Sequence, residues 1–281
     1  MTPFQPEPPT QTRTNTPTAT PTATSTPTPT NLPTLTPTVT PTLAEATVTL
    51  EKIEVTEPVS TGGVTVPILL YHHVSASIST QYNVPPANFE IQMQWLYDNG
   101  YSTITISELA NAIRNGDSLP ERQIVITFDD GFIDVYNNAY PILQKYGYEA
   151  TFFIIAESIG QSYSLSTSQL EELIDNGWEI GSHSFHHSDL TKAGASSLEV
   201  EIQGSKDFLE EKLGVSIQSF AYPYGLVNPS VIELTKNAGY TSAVGLGSKT
   251  THFLSTLYFL NRREVKSWFS LQDFINHIPW S

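Results

Sequence analysis

Gln123-Ile124-Val125-Ile126-Thr127-Phe128-Asp129-Asp130-Gly131 is an apolar, β-branched run that ends at two adjacent carboxylates and a glycine. A run of this length without polar alternation reads as a strand buried on both faces, the kind found in parallel sheets covered by helices. Like charges side by side at the end of such a strand repel. In a partly dry site one of them takes up a proton unless a cation intervenes. Asp and Gly also favour turns for local backbone reasons, so the same residues admit a second reading as a plain turn.

From Val64 onward, strand-like runs alternate with helical ones, which predicts an α/β domain built on parallel strands. Ile68 to Tyr71 reads as a strand. Asn88 to Asp98 reads as a helix capped by Asn88, with Phe89, Met93, Leu96 and Tyr97 available for apolar contacts. A strand is expected near Thr103 to Ile106, then a helix opened by Ser107. Further helices are expected over Asp134 to Tyr146, Ser168 to Asn176, Leu198 to Leu213, Pro229 to Ala238 and Leu271 to Ile275, and a strand over Ala150 to Ile155.

A second strand-like run, Trp178-Glu179-Ile180-Gly181-Ser182, leads into His183-Ser184-Phe185-His186-His187. His183 and His187 are four apart, so in one helical turn or a tight loop both imidazoles face one point. With one carboxylate they form two nitrogens and an oxygen, suited to zinc or another first-row divalent ion with positions left for water and substrate. The plain alternative is a surface histidine cluster, and His186 is read as a packing residue rather than a ligand.

Thr127-Phe128-Asp129-Asp130-Gly131 followed by His183-Ser184-Phe185-His186-His187 resembles the first two motifs of the polysaccharide deacetylases, carbohydrate esterase family four, with the NodB homology domain. The resemblance covers roughly residues 64–280 and implies an irregular (β/α) barrel of about seven parallel strands. It also implies that Asp129 is the general base and that Asp130, His183 and His187 hold a divalent metal, Zn2+ first, with Co2+ or Ni2+ as alternatives. Phe220-Ala221-Tyr222-Pro223-Tyr224-Gly225 is similar to a third motif, in which the backbone N–H of Tyr224 helps hold the oxyanion. Ala221 stands where the family usually has Arg, so the usual cationic partner of the catalytic aspartate is missing there.

Leu260-Asn261-Arg262-Arg263-Glu264-Val265 resembles a late Leu-x-Arg-x-x-Val segment of one subgroup, which makes Arg262 the candidate replacement. The same subgroup carries its general-acid histidine at the front of the domain, and Ile68-Leu69-Leu70-Tyr71-His72-His73-Val74 then implies His72 as the acid. His72, Asp129, Asp130, His183 and Tyr224 all fall just past the carboxyl ends of expected strands, where barrel enzymes place their sites. The implied reaction is removal of acetyl groups from a polysaccharide, chiefly N-deacetylation of a glycan containing N-acetylglucosamine: chitin-like, poly-N-acetylglucosamine or peptidoglycan. Acetyl-xylan O-deacetylation is the alternative within the superfamily. Ala221 prompts an alternative of another class, a glycan-binding surface module whose catalytic apparatus has decayed.

Composition bounds the rest. Met1 to about Leu43 is almost entirely Thr, Pro and Ala, and such a segment cannot bury enough apolar surface to offset its ordering entropy. Residues 1–60 are therefore expected to form a disordered linker or stalk, and residues 61–281 the catalytic domain. A net charge of -15, from 13 basic and 28 acidic residues, argues against nucleic acid as a partner and is compatible with a neutral or amine-bearing glycan. Cys is absent, which excludes disulfides and thiolate chemistry. No apolar run approaches a membrane span, and no conventional signal-peptide pattern opens the sequence. The stalk nevertheless suggests an extracellular or cell-surface location. Tyr222, Tyr224, Trp268 and Phe269 are candidates to line a glycan groove, although ordinary core packing accounts for most aromatics.

Overall fold

The computed structural model describes residues 62–279, and the expected disordered linker over residues 1–60 lies outside the described residues. Seven strands carry the fold: β1 (Ile68–Tyr71), β2 (Gln123–Phe128), β3 (Thr151–Ile154), β4 (Glu179–Ser182), β5 (Ser219–Ala221), β6 (Ser242–Leu246) and β7 (Leu260–Glu264). Each pairs in parallel with its neighbour in chain order, and β7 pairs with β1, so the sheet closes into a barrel. Closure leaves no unpaired edge among these strands. The short strand Ser102–Thr103 adds to the start of β2, and Val64–Thr65 pairs antiparallel with Thr251–His252.

Alternation along each strand divides the core in two. Ile68, Val125, Phe153, Ala221, Val244 and Leu260 pack together inside the barrel. Leu69, Tyr71, Ile124, Ile126, Phe128, Phe152, Ile180 and Phe220 face outward into the larger core beneath the helices. Gly181 is a packing requirement on the inner face. A Cβ there would lie 2.5 Å from the Phe153 ring and 2.7 Å from Ser219 Oγ, so only glycine admits the aromatic plug.

The helices are α1 (Pro86–Asp98), α2 (Ile106–Asn115), α3 (Tyr140–Tyr146), α4 (Thr167–Asp175), α5 (Ala195–Glu199), α6 (Ser205–Leu213), α7 (Pro229–Asn237) and α8 (Leu271–Ile275). Ile106, Leu109, Ala110 and Ile113 of α2 join the inner cluster, and the amides of Ile106 and Ser107 donate to Thr151 Oγ1 and Glu179 Oε2 at the amino ends of β3 and β4. This helix therefore stoppers the end of the barrel opposite the carboxyl termini of the strands.

Several boundaries differ from the sequence expectation for identifiable reasons. Thr105, not Ser107, caps α2 through a reciprocal box with Glu108, which cuts the preceding strand back to Ser102–Thr103 and frees the Ser107 hydroxyl for Glu179. Asn88 caps nothing: α1 begins two residues earlier behind Pro85, with proline in its first turn. The helix expected over Asp134 to Tyr146 opens as a wide π turn, Val135–Ala139, before α3, where Pro141 lacks the N–H a continuous α-helix needs. A second π turn, Val200–Gly204, splits the expected Leu198 to Leu213 helix and separates α5 from α6.

Candidate metal centre and active site

Period-two alternation extends past the strand ends. His72 continues the inward parity of Ile68 and Leu70, Asp129 that of Val125 and Thr127, and His183 that of Gly181. Arg262, within β7, shares the inner face with Leu260. All of them reach the open mouth of the barrel, where they line one cleft of about 260 Å³ together with Asp130, His187 and Tyr224. The barrel thus brings all seven sequence-predicted site residues to one place.

Residues off the strand parity are aimed by their backbone. Asp130, Ser184, His187 and Tyr224 have φ of 73°, 65°, 59° and 60°, and they are four of the five non-glycine residues with positive φ among those described. Left-handed backbone at such residues is strained by about 1 kcal/mol or more and persists where surrounding structure imposes it. At Asp130 it turns the second carboxylate back toward the mouth beside the first. After Tyr224, Gly225 is required outright, since it has φ 67° and a Cβ there would lie 2.5 Å from Leu246 Cγ.

Asp130 Oδ1 lies 3.6 Å from His183 Nε2 and 3.6 Å from His187 Nε2, and one ligand atom from each residue falls within 4.8 Å of the others. Burial pushes the His183 imidazole down to about 4 and lowers His187 as well, so both rings are neutral near pH 7. His183 Nδ1 donates to the Ala221 carbonyl at 2.8 Å, which fixes the tautomer and leaves the Nε2 lone pair facing Asp130. The Asp130 carboxylate oxygen and the freed His183 Nε2 therefore face one another as acceptors, with His187 Nε2 beside them. Asp130 Oδ1 is buried without a hydrogen-bond partner, and burial together with the neighbouring Asp129 charge raises its carboxyl to about 7. An orphaned buried carboxylate oxygen flanked by two neutral imidazoles fits a divalent cation in both charge and donor type.

Asp129 is treated in the opposite way. Burial, the largest single influence, would raise its carboxyl, but the Arg262 guanidinium together with His183 and His72 brings it down to about 2. Arg262 Nη1 donates to Oδ1 at 2.6 Å and Nη2 to Oδ2 at 2.7 Å, a bidentate pair of which neither side chain is more than 3% exposed. The guanidinium lies 5.3 Å above the Phe153 ring, so the plug admitted by Gly181 also forms its floor. The position occupied by Ala221 contributes only its carbonyl, to His183, and the cation arrives from β7 instead.

His72 stands across the cleft. Its Nδ1 is buried with no hydrogen-bond partner and lies 3.9 Å from Glu264 Oε1, beyond hydrogen-bonding range. Burial lowers its pKa, while Asp129 and Glu264 pull it back up. The Tyr224 ring is exposed and meets the His187 ring edge-on at 4.6 Å. His186 turns away from the ligand atoms and bonds Glu201 at 3.0 Å. Sequence reasoning missed Glu264 and Tyr82 in the cleft wall, and Asp134, which holds His73 Nδ1 at 2.7 Å and the Val74 amide at 3.0 Å. It also missed Glu201. None of these sits at a spacing that signals its role before the barrel is assembled. Of the aromatics weighed for a groove, Tyr222 and Tyr224 line the cleft, whereas Trp268 and Phe269 are not among its lining residues.

The sequence pattern of the polysaccharide deacetylase family matches residues 116–243. A putative polysaccharide deacetylase, YxkH, of Bacillus subtilis is 34% identical over 199 residues, 71% of this chain and 71% of the relative. A poly-beta-1,6-N-acetyl-D-glucosamine N-deacetylase of Staphylococcus aureus is 30% identical over 207 residues, 69% of this chain and 71% of the relative. Among solved structures, the Streptococcus pyogenes deacetylase PplD, determined with acetate, superposes with a TM-score of 0.71 at 28% identity, covering 77% of this chain and 99% of that one.

Proposed function

The chain belongs to the polysaccharide deacetylase family and is a deacetylase hydrolase; from that premise we propose that it removes N-acetyl groups from a polysaccharide containing N-acetylglucosamine, with the help of a divalent metal. Support for the substrate comes from the similarity to a poly-beta-1,6-N-acetyl-D-glucosamine N-deacetylase. The observation that carries the mechanism is the split between the two adjacent aspartates, one held ionised by Arg262 and the other left without a donor between two imidazoles. Environments that push neighbouring carboxylates apart assign them different roles.

A divalent ion held by Asp130, His183 and His187, zinc first with cobalt or nickel as alternatives, would supply the Lewis acid that polarises the acetyl carbonyl and acidifies a water. Asp129 remains ionised down to about pH 2, so it is free to accept the water's proton at any ordinary working pH. Arg262 keeps that carboxylate from rotating. The Tyr224 amide, on a left-handed turn beside His187, donates to the developing oxyanion. His72 gives its proton to the departing amine; burial lowers its pKa, and the charges of Asp129 and Glu264 work against that lowering. The Thr- and Pro-rich residues 1–60 serve in this reading as the linker of an exported enzyme whose catalytic domain is residues 61–281. No helix among the described residues is long and apolar enough to cross a membrane.

Acetate release from poly-N-acetylglucosamine, chitin oligomers, peptidoglycan and acetylxylan, with bound metal measured in the same sample, tests this reading. Release from a glucosamine polymer that disappears on chelation and returns with zinc is expected. Release from acetylxylan alone would replace the N-deacetylase reading with an O-deacetylase one. Glycan binding without release at full metal occupancy would contradict catalysis altogether.

A further inference from the structure

We infer that Glu201, remote in sequence from every motif residue, is a positioning residue for the metal centre: it clamps the loop that carries His187. This rests on the metal-centre reading above. The two histidines are not held alike. His183 directly follows β4 and is tied by its ring to Ala221, whereas His187 lies four residues on, in a loop with left-handed backbone at both Ser184 and His187. The place of His187 therefore depends on what fixes the loop.

Glu201 does so. It lies in the π turn between α5 and α6, is 4% exposed, and points its carboxylate under the loop. Oε2 accepts the backbone amides of Phe185 at 3.1 Å and His186 at 2.9 Å. Oε1 takes the Ser188 hydroxyl at 2.8 Å and His186 Nδ1 at 3.0 Å. Within the same loop, Ser184 Oγ accepts the His187 amide at 2.9 Å. One carboxylate thus gathers donors on both sides of the loop's midpoint, a task for which a charged acceptor with two oxygens has no neutral equivalent. A widened helical turn is a common way to present such a residue at a functional site. His186, read from sequence as a packing residue, acquires a role as one of these donors.

The test is zinc affinity of wild type, Glu201→Gln, Glu201→Asp and His186→Ala in the full chain, by competition with a chromophoric chelator, with circular dichroism monitoring the fold. Glu201→Gln keeps the size but turns one acceptor into a donor facing donors. It is expected to weaken zinc binding by about 10–100-fold, the usual consequence of losing an outer-shell partner. At saturating zinc most of kcat should return, which a general loss of structure would not allow. Glu201→Asp, which keeps the charge, should recover part of the affinity, and His186→Ala, which removes one donor but spares the backbone bonds, should weaken binding by less than Glu201→Gln does. A folded Glu201→Gln protein that binds zinc as tightly as wild type would overturn the inference. Should the Gln variant not fold, wild-type affinity in the Asp variant, whose shorter arm cannot reach the amides and Ser188 together, would overturn it equally. Wild type that binds no zinc would instead refute the metal centre itself.

Discussion

Two partly buried carboxylates stand at opposite ends of this barrel and are served in opposite ways. At the stoppered end, Glu179 accepts the Ser107 amide and hydroxyl, both at 2.8 Å, the Ser219 hydroxyl at 2.5 Å and the Thr151 hydroxyl at 3.2 Å. At the open end, Asp130 keeps a buried oxygen with no donor, beside an ionised aspartate and two imidazoles. Burial raises both carboxyls, but only at Asp130 does a neighbouring carboxylate add to it. Neutral donors make Glu179 part of the structure. Withholding donors from Asp130 reserves it for a cation, or for a proton when no cation is bound.

That contrast can be broken most forcefully at Arg262, the one charge that sorts the open end. Arg262→Met leaves Asp129 buried without its partner and should cost about 3–5 kcal/mol of stability, measured by urea unfolding near neutral pH. The pH dependence should also change sign. In wild type the folded-state value of Asp129, about 2, lies below that of the unfolded chain, so its stabilising contribution is present above about pH 4 and is lost as pH falls toward 2. In the variant burial should raise the folded-state value above that of the unfolded chain, so stability should instead rise as pH falls toward about 4 and change no further below it. A loss under about 1 kcal/mol would show that something else holds Asp129.

A smaller effect sharpens the other side. Glu179→Gln retains an acceptor among four donors and should cost about 1–2 kcal/mol, with zinc affinity unchanged. A shift in zinc affinity would mean that the two ends are coupled, and the division between structural and functional carboxylates would fail.

The parts of this arrangement visible in sequence were those written in short-range pattern. The buried run ending at Asp129 and Asp130, and His183 with His187, announce themselves because strand parity and a four-residue spacing are local properties. The barrel was legible only through the family resemblance, since alternating elements predict parallel strands but not closure. What escaped notice depends on distance or on backbone turns. Arg262 escaped local pattern and was legible only through the resemblance of residues 260–265 to a family segment, because it meets its carboxylate, 133 residues away, only when β7 closes against β1. Glu201 carries no spacing signal because its partners are mostly backbone amides. The left-handed turns at Asp130, His187 and Tyr224 are imposed by packing, so their own side chains do not advertise them. The reciprocal pair of Thr105 and Glu108 is a local signal, and it places the cap two residues before Ser107.

Titrating zinc into metal-free protein by calorimetry, from about pH 8 to about pH 5, addresses most directly whether the unserved carboxylate and its two imidazoles form a cation site. One ion per chain should bind, with affinity level above about pH 7 and falling by about tenfold or more per unit below it, because the Asp130 proton, and any proton on His187, must leave as the ion enters. His183, neutral down to about 4, adds no competing proton in that window. Failure to bind one ion, or an affinity indifferent to pH across the range, would contradict the account.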